Sequence, residues 1–93
     1  MFTSNIYFEG KVQSFAFSPE AGPATIGVMA PGDYEFGTST EEIMTVISGK
    51  MMVQLPGDEN WNEFQPFTSF RVAKDQKFKV RVTSDTAYLC LYK

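Results

Sequence analysis

Hydrophobic and polar residues alternate with period two through most of the chain, the pattern of half-buried strands. Val12, Phe15 and Phe17 fall in a first strand region closed by the turn Ser18-Pro19-Glu20-Ala21-Gly22-Pro23. Residues 24–29 form a second strand, and Ala30-Pro31-Gly32-Asp33 turns it. Tyr34, Phe36 and Thr38 then share one face of a third. Residues 43–48 and 51–55 read as a hairpin about Ser48-Gly49-Lys50. Residues 56–60 make a loop that delivers Trp61, a lid or a packing plug. Residues 67–72 and 78–82 flank the polar turn Ala73-Lys74-Asp75-Gln76-Lys77, and residues 87–92 are the last strand. Thr38-Ser39-Thr40-Glu41-Glu42 imitates a helix capping box. The β-branched run after it predicts a strand instead. The pattern predicts one all-β domain over residues 1–93, with about eight short strands in a sandwich or barrel.

Composition narrows what such a domain can do. Hydrophobic residues make up 43% of the chain, enough for a core, and aromatics 15%, nine of them Phe, which favours strands around a pocket. The net charge is −3 and the eight Lys and Arg are scattered, so the clustered basic surface of a nucleic-acid binder is missing. No apolar stretch approaches the ~20 residues of a membrane span. The first residues lack the charged-then-apolar order of a signal peptide. A single cysteine, Cys90, excludes an internal disulfide. A cytoplasmic location is expected. A domain this small buries only about two-thirds of its unfolded surface, so a homodimer is expected.

The chain contains no histidine, which rules out an imidazole metal site. Gly32-Asp33-Tyr34-Glu35-Phe36-Gly37-Thr38, then Glu42 and Gly49, nevertheless resembles the first motif of the cupin superfamily. Thr38 and Thr40 stand where that motif places two histidines, and Glu42 matches its glutamate. The second motif departs: Phe67 replaces its glycine, Ala73 its proline, and its histidine falls near Asp75. The resemblance implies a cupin-like antiparallel barrel, or jelly roll, without the metal ligands.

A second resemblance spans nearly the whole chain. It is carried by Tyr7-Phe8-Glu9-Gly10-Lys11-Val12, Gly27-Val28-Met29 and Gly32-x-Tyr34-x-Phe36-x-Thr38. Glu42-x-Met44-Thr45-Val46-Ile47-Ser48-Gly49, Val53-x-Leu55-Pro56, Trp61 and Tyr88-Leu89-Cys90-x-Tyr92 follow in order. These pieces resemble the bacterial pyrimidine/purine nucleoside phosphorylases. That resemblance implies a pentosyltransferase: phosphorolysis of purine and pyrimidine nucleosides to free base and pentose 1-phosphate, with phosphate as co-substrate and no cofactor.

Strand parity sets Glu42, Met44 and Val46 on one face. From the residues alone, Glu42 faces either a pocket or water beside Glu41; the resemblance favours the pocket, with Glu42 catalytic. Tyr34, Phe36, Thr38, Met44, Tyr88 and Tyr92 are the candidate substrate contacts, Phe36 being better explained by core packing. Cys90 has no histidine to activate it and reads as a small core residue. Phosphate needs cations or backbone amides. Arg71 and Arg81, the only arginines, are the candidates, although parity sets them opposite Phe70, Val72, Val80 and Val82, on an outer face. The alternatives are a non-catalytic nucleoside- or sugar-binding cupin and a structural β-domain that works through dimer contacts.

Overall fold

The computed structural model describes residues 2–93. Among them run ten strands: β1 (Thr3–Tyr7), β2 (Val12–Phe17), β3 (Ala24–Met29), β4 (Gly32–Gly37), β5 (Glu42–Ser48), β6 (Met51–Gln54), β7 (Asn62–Phe64), β8 (Ser69–Val72), β9 (Lys77–Val82) and β10 (Thr86–Tyr92). A 3₁₀ turn at Phe8–Gly10 joins β1 to β2. The strands form two antiparallel sheets, ordered β1-β2-β3-β10-β5-β8 and β4-β9-β6-β7. The two sheets do not close into one barrel, so the all-β expectation stands and the closed barrel is corrected to two facing sheets.

Alternation decides which side chains meet between the sheets. Val12, Met29, Met44, Val46, Phe70, Tyr88 and Cys90 come from the wide sheet, and Tyr34, Met51, Val53, Phe78, Val80 and Val82 from the narrow one. The burial pattern of β9, Lys77–Val82, switches strictly between exposed and buried.

The connections differ from the sequence reading in one systematic way. Residues 48–50 do not close a hairpin: β5 pairs with β10 and β8, whereas β6 pairs with β7 and β9. The turn crosses from one sheet to the other, as does the turn from β8 to β9. Gly49 sits at φ +85°, where an added Cβ would lie 2.6 Å from Thr86 Oγ1, so only glycine fits the crossing. Period-two patterning reports the buried face of a strand but not which sheet it joins. In the first strand region, Val12 and Ser14 point inward while Phe15 is exposed on the outer face. The β1 and β7 strands are additions that short polar segments did not reveal.

The wide sheet has two strands more than the narrow one. At one end its inner face carries three cross-strand rows. Ser14, Gly27, Tyr88 and Val46 form one; Ala16, Thr25, Cys90 and Met44 form the next; Tyr92 and Glu42 form the third. An added Cβ at Gly27 would lie 2.8 Å from the Tyr88 ring, so the glycine lets the tyrosine lie flat across β3.

Candidate active site

Between the sheets lies a cavity of about 300 Å³. The wide sheet contributes Ser14, Thr25, Glu42, Met44, Tyr88, Cys90 and Tyr92 to its wall, and the narrow sheet Glu35, Phe36, Gly37 and Phe78. Tyr7 and Phe8 complete the wall at the β1 edge. Phe8 and Glu9 adopt left-handed backbone conformations, at φ 51° and 59°, ahead of Gly10 at φ 90°. This turn lays the Phe8 ring across to the other sheet, 5.0 Å from Tyr34 and 5.7 Å from Phe36, centroid to centroid. Phe36 packs in turn on Phe78 at 5.7 Å. The aromatic wall is thus continuous from the β1 edge into the core.

Glu42 opens β5 and is half-buried beside the cavity. Burial raises its pKa above the ordinary carboxylate range, against a hydrogen bond from Cys90 that favours the ionised form. The Cys90 thiol donates to Glu42 Oε1 at 3.3 Å. Tyr92 and Thr25 hydroxyls are hydrogen-bonded at 3.0 Å. Burial pushes the Tyr88 phenol up to about 12, and raises Tyr92 and the Cys90 thiol as well, so all three remain protonated donors at neutral pH. The wall therefore offers neutral hydroxyl and thiol donors, flat aromatic faces and one inward carboxylate, Glu42, with the exposed Glu35 at its rim. It carries no Lys or Arg.

Of the residues expected from sequence, Glu42, Phe36, Met44, Tyr88 and Tyr92 come together here. Tyr34 and Thr38 face inward but do not line the cavity. The Tyr34 hydroxyl donates to the Ala30 carbonyl at 2.6 Å. The Thr38 hydroxyl donates to the Ala73 carbonyl at 2.7 Å and accepts from the Gln76 amide at 3.0 Å, tying the end of β4 to the β8–β9 turn. Arg81 lies on the outer face, with Nε 2.8 Å from Asp33 Oδ1 and its guanidinium over Trp61 at 4.5 Å. Trp61 is therefore an outer-face partner of Arg81. Arg71 is exposed and pairs with Glu41 at 3.3 Å. Tyr7, Phe8, Ser14, Thr25, Glu35, Phe78 and Cys90 were missed as cavity residues. Only Cys90 carried a signal, its alternation with Tyr88 and Tyr92.

A metal does not fit the cupin ligand positions of this chain. The Thr38 hydroxyl is committed to backbone partners, Thr40 is exposed, and Asp75 sits at φ 60° in an exposed turn. Among the described residues, no three of His, Cys, Asp and Glu gather as a metal site.

Two facing antiparallel sheets with an aromatic, carboxylate-bearing cavity between them place the chain in the cupin-like class. A solved structure of a Vibrio parahaemolyticus protein of unknown function superposes with a TM-score of 0.96 at 38% identity, covering 100% of this chain and 99% of that one. The pyrimidine/purine nucleoside phosphorylase of Alcanivorax borkumensis is 60% identical over 92 residues, covering 99% of this chain and 98% of its own. That of Pseudomonas putida is 57% identical over 93 residues, covering 100% and 99%. The family model described as pyrimidine/purine nucleoside phosphorylase matches residues 2–92. The chain belongs to the pyrimidine/purine nucleoside phosphorylase family.

Proposed function

We propose that the chain catalyses phosphorolysis of purine and pyrimidine nucleosides, with broad base specificity, in the cavity beside Glu42. The observation that carries this reading is a half-buried carboxylate set in an aromatic wall. A phosphate oxygen attacks C1′, the C1′–N bond breaks with its electron pair going to the base, and the proton of hydrogen phosphate ends on the base nitrogen. Phosphate is the nucleophile, so the protein needs none. C1′ gains positive charge in an oxocarbenium-like transition state. Glu42 opposes that charge, and the ionised form is the active one. Every base has a π-face, so Phe8, Phe36 and Tyr88 stack bases without choosing among them. Tyr92 and Met44 complete the substrate contacts, while Tyr34 and Thr38 act from behind by holding the wall in place.

The proposed state is a cytoplasmic homodimer formed through the outer face of the wide sheet. Ile6, Phe15, Ile26 and Val28 are all exposed, and the paired outward positions of β1, β2 and β3 carry no charge. Arg71 and Arg81 lie outside the cavity: Arg81 is on the outer face of the narrow sheet, away from this interface, and only Arg71, on the outer face of the wide sheet, is on the side of the second copy. The test is release of base from uridine and adenosine with and without phosphate. The expected outcome is base and pentose 1-phosphate in equal amounts, only when phosphate is present.

One observation favours a second reading. A wall with a carboxylate and no cation suits a neutral nucleoside or sugar better than a phosphate dianion. Saturable nucleoside binding without base release under any phosphate concentration would establish a binding protein.

A further inference from the structure

Cys90 has a place in this cavity that a core role does not explain. It projects from β10 opposite Met44 of β5, one row from the pair Tyr92 and Glu42. It is buried to 1% exposure, yet it lines the cavity. Its thiol donates to Oε1 of Glu42, the one side-chain hydrogen bond that the carboxylate receives among the described residues. A thiol held protonated by burial and by the neighbouring carboxylate is a poor nucleophile but a lasting donor. The groups that face Glu42 offer no alternative anchor. On β10 the Tyr92 hydroxyl is hydrogen-bonded to Thr25, and Tyr88 lies in the row of Ser14 and Gly27. Glu35 of β4 is exposed with the outward parity of its strand, Tyr7 stands at the far edge, and β8 presents Phe70 and Val72.

We propose that Cys90 is a positioning residue for Glu42: its thiol holds Oε1 and leaves Oε2 to the ligand. The inference rests on the reading of Glu42 as the substrate-facing carboxylate. Without the thiol, the carboxylate is free to rotate about its own side-chain bonds. Misplacement on the scale of an ångström is costly to a catalytic charge.

Three observations test it. Serine keeps a hydroxyl donor at this position and alanine removes it with little further change in volume. Cys90→Ala is expected to lower kcat for uridine phosphorolysis on the order of 10-fold, with KM changed by less than about 3-fold. The acid limb of its pH profile moves to higher pH, because a donor that favours the ionised carboxylate is gone. Cys90→Ser restores kcat to within about 3-fold and returns the acid limb. The third observation needs no activity. The chain has one cysteine, so its infrared S–H stretch is a single assignable band. That band is expected to shift as Glu42 titrates in the unliganded protein, and to stop shifting in Glu42→Ala. Equal kcat and equal acid limbs in Cys90→Ala and Cys90→Ser, or an S–H band blind to Glu42, overturn the proposal. If the chain releases no base while the S–H band follows Glu42, the pairing stands and the assignment of Glu42 to catalysis is what fails, taking the catalytic half of the proposal with it.

Discussion

Replacing Glu42 by glutamine keeps the shape of the side chain and removes its charge. The loss can be sized from the site. Glu42 is half-buried in a wall of aromatic and hydroxyl groups, so an effective dielectric of about 20 applies. A full positive charge about 5 Å away then interacts with the carboxylate by about 3 kcal/mol. Each 1.36 kcal/mol is about tenfold in rate, so kcat should fall on the order of 10²-fold. Glutamine still accepts from Cys90 and still fills the wall, so nucleoside KM should change little. The assay is steady-state release of uracil from uridine at saturating phosphate, with a melting curve for each variant. Folding should not suffer, because a buried ion no longer has to be desolvated. Glu41→Gln is the control. Its partner Arg71 is exposed, and an exposed ion pair is worth about 0–1 kcal/mol. That variant should match the parent in turnover. Full activity in Glu42→Gln, or a crippled Glu41→Gln, would refute the electrostatic role of Glu42.

Further expectations follow from the same geometry. The raised pKa of Glu42 gives a defined sign to pH dependence: the folded state holds the proton more tightly than the unfolded chain, so this group's contribution to stability is present at low pH and lost as pH rises through its folded pKa. Activity runs the other way, rising with ionisation, and denaturant titrations of parent and Glu42→Gln across that range should differ by this component alone. Gly27→Ala sets a Cβ 2.7 Å from the Gln13 carbonyl and 2.8 Å from the Tyr88 hydroxyl, so it should destabilise by roughly 2 kcal/mol or more and raise nucleoside KM as Tyr88 is displaced; urea unfolding and kinetics check both. Phe15→Glu puts a charge in the middle of the apolar outer face and should yield a monomer by analytical ultracentrifugation, whereas an unchanged dimer would move the interface elsewhere. Arg81 lies on the outer face of the narrow sheet, away from that interface, so Arg81→Ala should leave the phosphate and nucleoside KM values within about 2-fold of the parent; a roughly 10-fold rise in the phosphate KM would return Arg81 to the site.

Much of the wall was legible in the chain because period two is a local property. Parity alone placed Glu42, Met44 and Val46 on one face and Tyr88, Cys90 and Tyr92 on another, and β10 pairs with β5 so that these two faces become one surface. The same reasoning set Arg71 and Arg81 outward, where they are found. What parity does not contain is the partner of each strand. The segment 48–50 carries a good hairpin signature and still sends the chain to the opposite sheet, because Thr86 of a distant strand packs over Gly49. Tyr34 and Phe36 share a face, yet only Phe36 reaches the cavity, since the Phe8 ring packs over Tyr34 and the Ala30 carbonyl takes its hydroxyl. Phe8 was invisible as a wall residue for a related reason. Its position depends on two successive non-glycine residues in left-handed conformations, which no propensity favours.

The mismatch between six strands and four is what makes the site possible. A narrow sheet of equal width would cover the inner faces of β1 and β2, and the rows through Ser14 and Thr25 would be packed as core. Instead these rows carry the Ser14 and Thr25 hydroxyls, and the space above them is closed by Tyr7, Phe8 and the β4 edge of the narrow sheet. An uncharged, flat ligand gains apolar contact and hydroxyl partners there without displacing an ion. A phosphate dianion gains neither: the Glu42 carboxylate shares the wall with it and no guanidinium or ammonium does. Burying such an anion without a cation is strongly unfavourable. In the proposed reaction phosphate therefore sits toward the mouth, where water supplies its donors. Glu42 in the wall and the exposed Glu35 at the rim also repel it from afar, so the phosphate KM should fall as ionic strength rises, while the nucleoside KM should not.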